Sequence, residues 1–134
     1  MMLAATYVAP SAIEGLGVFA AEPIAKGEII WRFDTSFERL LNVEFAADLP
    51  AHISEYIDRY SYPMKDDPNT LVLEIDNGRF MNHNEATPNT DFKSWDLGYA
   101  TRDIAKGEEL TCDYRDFYPG FILTTGAEQK PIAL

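Results

Sequence analysis

The chain has 134 residues, enough for one domain with a real core, and its 46% hydrophobic and 25% charged residues suit a soluble globular protein. Eleven Lys and Arg against 22 Asp and Glu leave a net charge of −11, which repels nucleic acid and attracts cationic partners such as a Lys-rich peptide, although acidity also serves solubility alone. A single cysteine excludes an intrachain disulfide and a cysteine-rich zinc cluster, no apolar run approaches a membrane span, and MMLAATYVAP lacks the basic region of a signal peptide, so a cytoplasmic protein without a metal is expected.

Residues 4 to 9 predict an edge strand ending at Pro10. Gly15-Leu16-Gly17 follows, where two glycines let the backbone bend sharply and approach a ligand closely. Most such pairs are only turns, and this one lacks the third glycine and following helix of a dinucleotide-binding loop. Ile24-Ala25-Lys26-Gly27-Glu28 then recurs 80 residues later as Ile104-Ala105-Lys106-Gly107-Glu108. Each copy predicts a strand, a turn at Lys-Gly and a second strand, so paired units within one β-rich domain are expected.

Thr35-Ser36-Phe37-Glu38 has the spacing of a capping box, with Phe37, Leu40 and Leu41 on one face, and predicts a short helix. A second helix is predicted from near Asp48, with Pro50 in its first turn. Its stripe of Ile53, Tyr56, Ile57 and Tyr60 reads as core. Residues 61 to 69 read as loop around Pro63, Asp66-Asp67 and Pro68, without EF-hand spacing. Leu71 to Ile75 reads as a strand and Asp76-Asn77-Gly78 as a tight turn.

Arg79 to Asn89 is chemically the densest stretch. Apolar Phe80 and Met81 give way to Asn82-His83, and the segment closes on Pro88-Asn89. Such polar side chains must find hydrogen-bond partners or stay in water. Asn and His offer flat donors and acceptors that suit the edge of a heterocycle, though a polar turn is the plain alternative for this stretch alone. Phe92 to Arg102 is expected to return as strand, and Glu109 to Tyr114 to finish the second unit. Phe117, Tyr118 and Phe121, around Pro119-Gly120, form an aromatic tail expected to pack back on the domain, with Gly126 to Leu134 frayed.

Taken together and in order, Gly15-Leu16-Gly17, Arg79-Phe80-Met81-Asn82-His83 through Pro88-Asn89, and Glu109-Leu110-Thr111-Cys112-Asp113-Tyr114 resemble the three signatures of SET domains. The resemblance covers roughly residues 5 to 118. It implies a mainly β fold with short helices, built of small curved sheets in a β-clip arrangement, with the C-terminal stretch tucked beneath an earlier loop in a pseudoknot. One domain would then fill residues 1–134, with the aromatic tail at 115–125. It also implies methyl transfer from S-adenosylmethionine to the ε-amine of lysine in a basic protein, leaving S-adenosylhomocysteine. A nuclear or chromatin-associated location would follow in a eukaryote.

Position by position, the resemblance makes Leu16 and Gly17 present backbone to the methionine part of the cofactor, with Asn82 and His83 holding it from the other side. Arg79 would meet the cofactor carboxylate or brace the loop, and Phe117 or Tyr118 would stack on adenine. Tyr114 matches the catalytic tyrosine, and Phe33 and Cys112 would line the lysine channel with it. The chain departs from the family pattern after Asn82-His83, where Asn84-Glu85-Ala86-Thr87 replaces a Ser-Cys continuation and runs one residue longer. Without zinc-bound flanks, the tail or a second subunit in a homodimer would close the site.

The chemistry is consistent on its own. Lysine titrates near 10.4 in water, so a site that methylates it must favour the neutral amine through apolar or cationic surroundings. Aromatic walls orient the side chain and exclude water, a tyrosine hydroxyl aligns the amine, and the cofactor carries the reactive group. Two rivals belong to other classes. One is a non-catalytic β-clip module that binds a ligand or peptide, with Tyr114 purely structural. The other is cysteine hydrolysis by Cys112 and His83, which no motif supports.

Overall fold

The structure is a computed structural model and describes residues 1–118. The expectations for Pro119, Gly120, Phe121 and residues 126–134 lie outside the described residues. In chain order the elements are β1 (Thr6–Pro10), β2 (Leu16–Ala20), β3 (Ile29–Arg32), β4 (Arg39–Asn42), α1 (Val43–Ala47), α2 (Ala51–Tyr60), β5 (Ser61–Met64), β6 (Asp67–Leu73), β7 (Asn82–His83), β8 (Thr90–Asp91), β9 (Leu97–Ala100) and β10 (Glu109–Cys112). Short 3-10 turns cover Asn77–Phe80 and Tyr114–Asp116. Three small sheets result, in the spatial orders β1-β2-β10-β7, β3-β9-β8 and β4-β6-β5.

The repeated pentapeptide explains how two of these sheets join. The strands of each copy lie in different sheets and pair with the other copy, β2 with β10 and β3 with β9. At the crossing, Ile24 and Ile104 exchange backbone hydrogen bonds of 2.9 and 2.8 Å. The Gly27 N–H donates to Ala100 O and the Gly107 N–H to Ala20 O, each at 2.8 Å. Gly27 and Gly107 sit at φ of 85° and 84°, left-handed conformations that a side chain disfavours. The two copies thus clasp each other about an approximate twofold. Their isoleucines are buried and join Val18, Ile30, Met81 and Leu110 in the main core.

β10 runs between β2, to which it is antiparallel, and β7, to which it is parallel. The segment after β7 is bonded across it. The Asn89 side chain accepts the Thr111 N–H and donates to Glu109 O, both at 2.8 Å, and the Thr90 hydroxyl donates to Thr111 O at 2.7 Å. The longer Asn84–Thr87 stretch closes on itself, its Asn84 Oδ1 accepting the Thr87 N–H at 3.0 Å.

Three expectations are corrected. Thr35–Glu38 forms one turn and no helix. The Asp34 N–H donates to the Glu38 carboxylate at 2.6 Å and the Ser36 N–H to the Asp34 carboxylate at 2.9 Å, so the local bonds of a helix start are present. Arg39 to Asn42 nevertheless pairs with β6, and the tertiary ladder stops the helix. Helix α1 begins later, capped by Asn42, whose Oδ1 accepts the Glu44 N–H at 2.8 Å. Residues 61 to 69 form the β5–β6 hairpin, with Asp66 at a φ of 61° in its turn. Pro63 is tolerated because β5 is an edge strand, and Pro68 lies beside the register shift, beyond the ladder with β4. The α2 stripe is not core throughout. Ile57 is buried, but Ile53 and Tyr56 are exposed, because α2 packs on a small cluster around Leu41. Helix α2 itself stands as expected, with Pro50 as its cap and not in its first turn. No described helix is long and apolar enough to cross a membrane.

Candidate active site

The glycine turn and the Asn82-His83 strand come together through one buried amide. The Asn82 Nδ2 group lies 3.1 Å from each of Glu14 O, Leu16 O and Glu109 Oε1, so its two hydrogens clip the turn to β7 and β10. Gly17 makes room for this arrangement. A Cβ there would lie 1.9 Å from Glu109 Oε1, so a side chain would push that carboxylate off Asn82. Gly15 has a φ of 46° with nothing close to where a side chain would stand, and Leu16 is half exposed. The backbone of this turn is therefore bare on its outer side.

His83 connects the strand to Tyr114. Its Nδ1 accepts the Tyr114 N–H at 3.0 Å, so the proton of the neutral ring sits on Nε2, 3.9 Å from the Glu85 carboxylate. Burial lowers the His83 pKa below its usual 6.5, against the opposing pull of Asp113 and Glu85, and keeps the ring neutral at pH 7. Tyr114 is buried, and its hydroxyl donates to Met81 O at 2.6 Å. The same burial lifts its phenol well above 10, so the hydroxyl remains a donor. The Tyr114 ring lies between His83, at 5.0 Å, and Phe117, at 5.9 Å.

Beyond Phe117 opens an apolar pocket of about 460 Å³, between the β5–β6 hairpin and the loop before β9. Its aromatic walls are Phe33, Tyr62, Trp95 and Phe117, with Lys65, Asp66, Lys93 and Asp116 supplying charge. Phe33 and Trp95 rings pack at 5.3 Å, and Tyr62 meets Phe117 edge-on at 5.3 Å. Of the three residues predicted for a lysine channel, only Phe33 lines this pocket. Tyr114 sits behind Phe117, and Cys112 is sealed in the core with burial pushing its thiol pKa up. Such a thiol is a poor nucleophile, which removes the support for cysteine hydrolysis.

Arg79 lies against aromatic rings and α2. Its guanidinium lies 4.6 Å from the Phe80 ring and 5.5 Å from that of Tyr60, and it donates to the Tyr56 hydroxyl on α2 at 3.1 Å. It braces the turn before β7 against α2, and this gives exposed Tyr56 a partner. Tyr118 returns towards Tyr114, its N–H donating to Tyr114 O at 2.9 Å. Tyr62 and Trp95 are pocket residues that sequence reasoning missed. An exposed Trp in a polar loop is the one signal that points to either, since their neighbours in space are remote in the chain. Among the described residues no cluster of His, Cys, Asp and Glu could hold a metal ion.

The sequence profile of the SET domain matches residues 15–115, which take in all three signature segments. Among solved structures, the chain is similar to a candidate histone methyltransferase from Plasmodium falciparum, at 26% identity and a TM-score of 0.57, over 81% of this chain and 91% of that one. It is also similar to a chain of the polycomb repressive complex 2 of Chaetomium thermophilum, at 25% identity and a TM-score of 0.63, over 87% of this chain but 16% of that one. SET8 of Cryptosporidium shares the fold at a TM-score of 0.60 and 24% identity, over 87% of this chain and 60% of that one. No curated protein matches the chain. With the profile spanning most of the chain, the chain belongs to the SET-domain family.

Proposed function

We propose that the protein transfers a methyl group from S-adenosylmethionine to the ε-amine of a lysine in a basic protein. The position of Tyr114 carries this reading: its ring stands between the Asn82-His83 strand and the aromatic pocket. A reaction that joins a cofactor on one side to a lysine on the other needs a group at that junction. The glycine turn fits the cofactor, because its outer backbone is bare and the Asn82 clip holds it against β7. Leu16, Gly17, Asn82 and His83 would hold it, and with Phe117 on the lysine pocket Tyr118 is the ring left for the adenine. When bound, the cofactor supplies an electrophilic methyl group.

The chain's own residues do the rest. Phe33, Tyr62, Trp95 and Phe117 take the apolar stem of the lysine and exclude water. Dry aromatic surroundings favour the neutral amine. The Tyr114 hydroxyl, protonated and fixed, orients the nitrogen. Net charge of −11 gathers basic substrates, and similarity to a candidate histone methyltransferase supports a basic protein and a chromatin setting.

One observation favours the binding-module alternative: the Tyr114 hydroxyl is already bonded to Met81 O. Incubation with methyl-labelled S-adenosylmethionine and Lys-rich peptides, read by mass spectrometry, separates the two. Label on lysine is expected. Peptide binding without label, together with no heat from the cofactor in calorimetry, would leave the module.

A further inference from the structure

Glu74 is a carboxylate in a place where burial alone would put an apolar side chain. It follows β6 directly and is 2% exposed. Its Oε1 accepts the Tyr62 hydroxyl at 3.2 Å, while its Oε2 is buried with no hydrogen-bond partner. A buried carboxylate oxygen without a partner has lost its hydration for nothing in return, so it calls for a ligand or a role. The oxygen belongs to a residue lining a second cavity of about 20 Å³, room for one water-sized group. That cavity shares Tyr62, Trp95 and Phe117 with the large aromatic pocket as common walls. Met81, whose carbonyl holds the Tyr114 hydroxyl, lines it as well.

We propose that Glu74 is the counter-ion and proton acceptor for a primary ammonium that enters through the aromatic pocket. This rests on reading the pocket as a lysine site and adds the group that receives the amine. The stem lies among Phe33, Trp95 and Phe117, and the nitrogen reaches the small cavity between Glu74 and Met81. A proton passes from the ammonium nitrogen to Glu74 Oε2, leaving a neutral amine and a neutral carboxyl, so the charges cancel inside the site. Burial first, then the nearby Asp76 and Glu38 carboxylates, raise the Glu74 pKa from 4.5 to about 7, against the opposing Met1 ammonium and the Tyr62 hydrogen bond. Such a carboxyl is a far better base than an ordinary glutamate. The charged groups at the pocket itself are Lys65, Asp66, Lys93 and Asp116. Lys93 is paired with Asp91 at 3.0 Å, and Asp66 and Asp116 stand at the wall of the large pocket, whereas Glu74 is the carboxylate among the residues lining the small cavity.

The probe is n-butylammonium, a lysine side chain without its backbone, titrated against the whole chain and followed by tryptophan fluorescence. Affinity is expected to fall about tenfold from pH 8 to pH 6 as Glu74 gains its proton. Butyltrimethylammonium is expected to bind at least about tenfold more weakly, since its head group exceeds a one-water cavity. In Glu74→Gln the pH dependence is expected to vanish, and in methylation assays KM for a Lys peptide to rise with its pH profile flattened. Wild-type binding that is independent of pH, or absent, overturns the proposal without recourse to a variant, and so does an unchanged Glu74→Gln profile. Glu74-dependent binding of butylammonium without any methyl transfer keeps this role and overturns the methyltransferase reading. Methyl transfer that is indifferent to Glu74→Gln does the reverse.

Discussion

Replacing Glu74 with Gln should change how stability depends on pH. The carboxyl is almost wholly buried, and its pKa is raised from 4.5 to about 7, chiefly by loss of solvation. A carboxyl raised in the folded state favours folding while it stays protonated. That contribution is complete below about 4.5 and is lost as pH rises through about 7. The difference corresponds to about 3 kcal/mol between these limits. Gln keeps an oxygen to accept the Tyr62 hydroxyl but does not titrate. In thermal unfolding followed by circular dichroism from pH 4.5 to 8, the Tm of Glu74→Gln relative to wild type should therefore climb by about 10 °C for a domain of this size. The lost Oε2 acceptor has no partner to strand, so the variant should fold. A Tm difference that stays flat across this range would show that Glu74 titrates as an ordinary exposed carboxylate, and would refute the reasoning.

Asn82→Ala removes the amide that joins Glu14 O, Leu16 O and Glu109 Oε1 and leaves these part-buried acceptors to water, at a cost of about 1 kcal/mol. The glycine turn should loosen with it, so calorimetry with S-adenosylmethionine should show affinity down at least about tenfold while the fold survives; unchanged affinity would remove the turn from the cofactor site. Methylation of a Lys-rich peptide should slow as NaCl rises from low to physiological strength, because a charge of −11 is screened over about 8 Å there, and a rate indifferent to salt would remove steering from the account.

Much of this architecture was legible in the sequence. The repeated Ile-Ala-Lys-Gly-Glu segment marks the two units that clasp each other, because a left-handed glycine and a flanking buried isoleucine leave a local trace. The three motif segments mark where the glycine turn is clipped to β7 through Asn82 and β7 is joined to Tyr114. The failures were of another kind. Thr35–Glu38 makes the hydrogen bonds of a helix start, and only pairing of the next four residues with β6 decides against it. Pro63 and Pro68 hid a hairpin, since an edge strand and a register shift excuse them and neither is local information. The resemblance placed Phe33 and Phe117 at the site, but Tyr62 and Trp95 were missed because the pocket walls come from four distant segments. Glu74 sits in an otherwise apolar run, and no pattern says that its carboxylate points inward.

The central claim is that Tyr114 acts at the junction of two sites, and Tyr114→Phe tests it most directly. The ring stays packed between His83 and Phe117, while the buried Met81 carbonyl loses its donor, for about 1–3 kcal/mol of stability. The paired measurement is Tm with and without S-adenosylmethionine, and the initial rate of lysine methylation at saturating cofactor. The account predicts a folded protein with an intact cofactor-induced rise in Tm and a rate reduced on the order of a hundredfold, as expected when a reacting amine is misplaced by about 1 Å. A folded Tyr114→Phe protein that methylates lysine at the wild-type rate would contradict it.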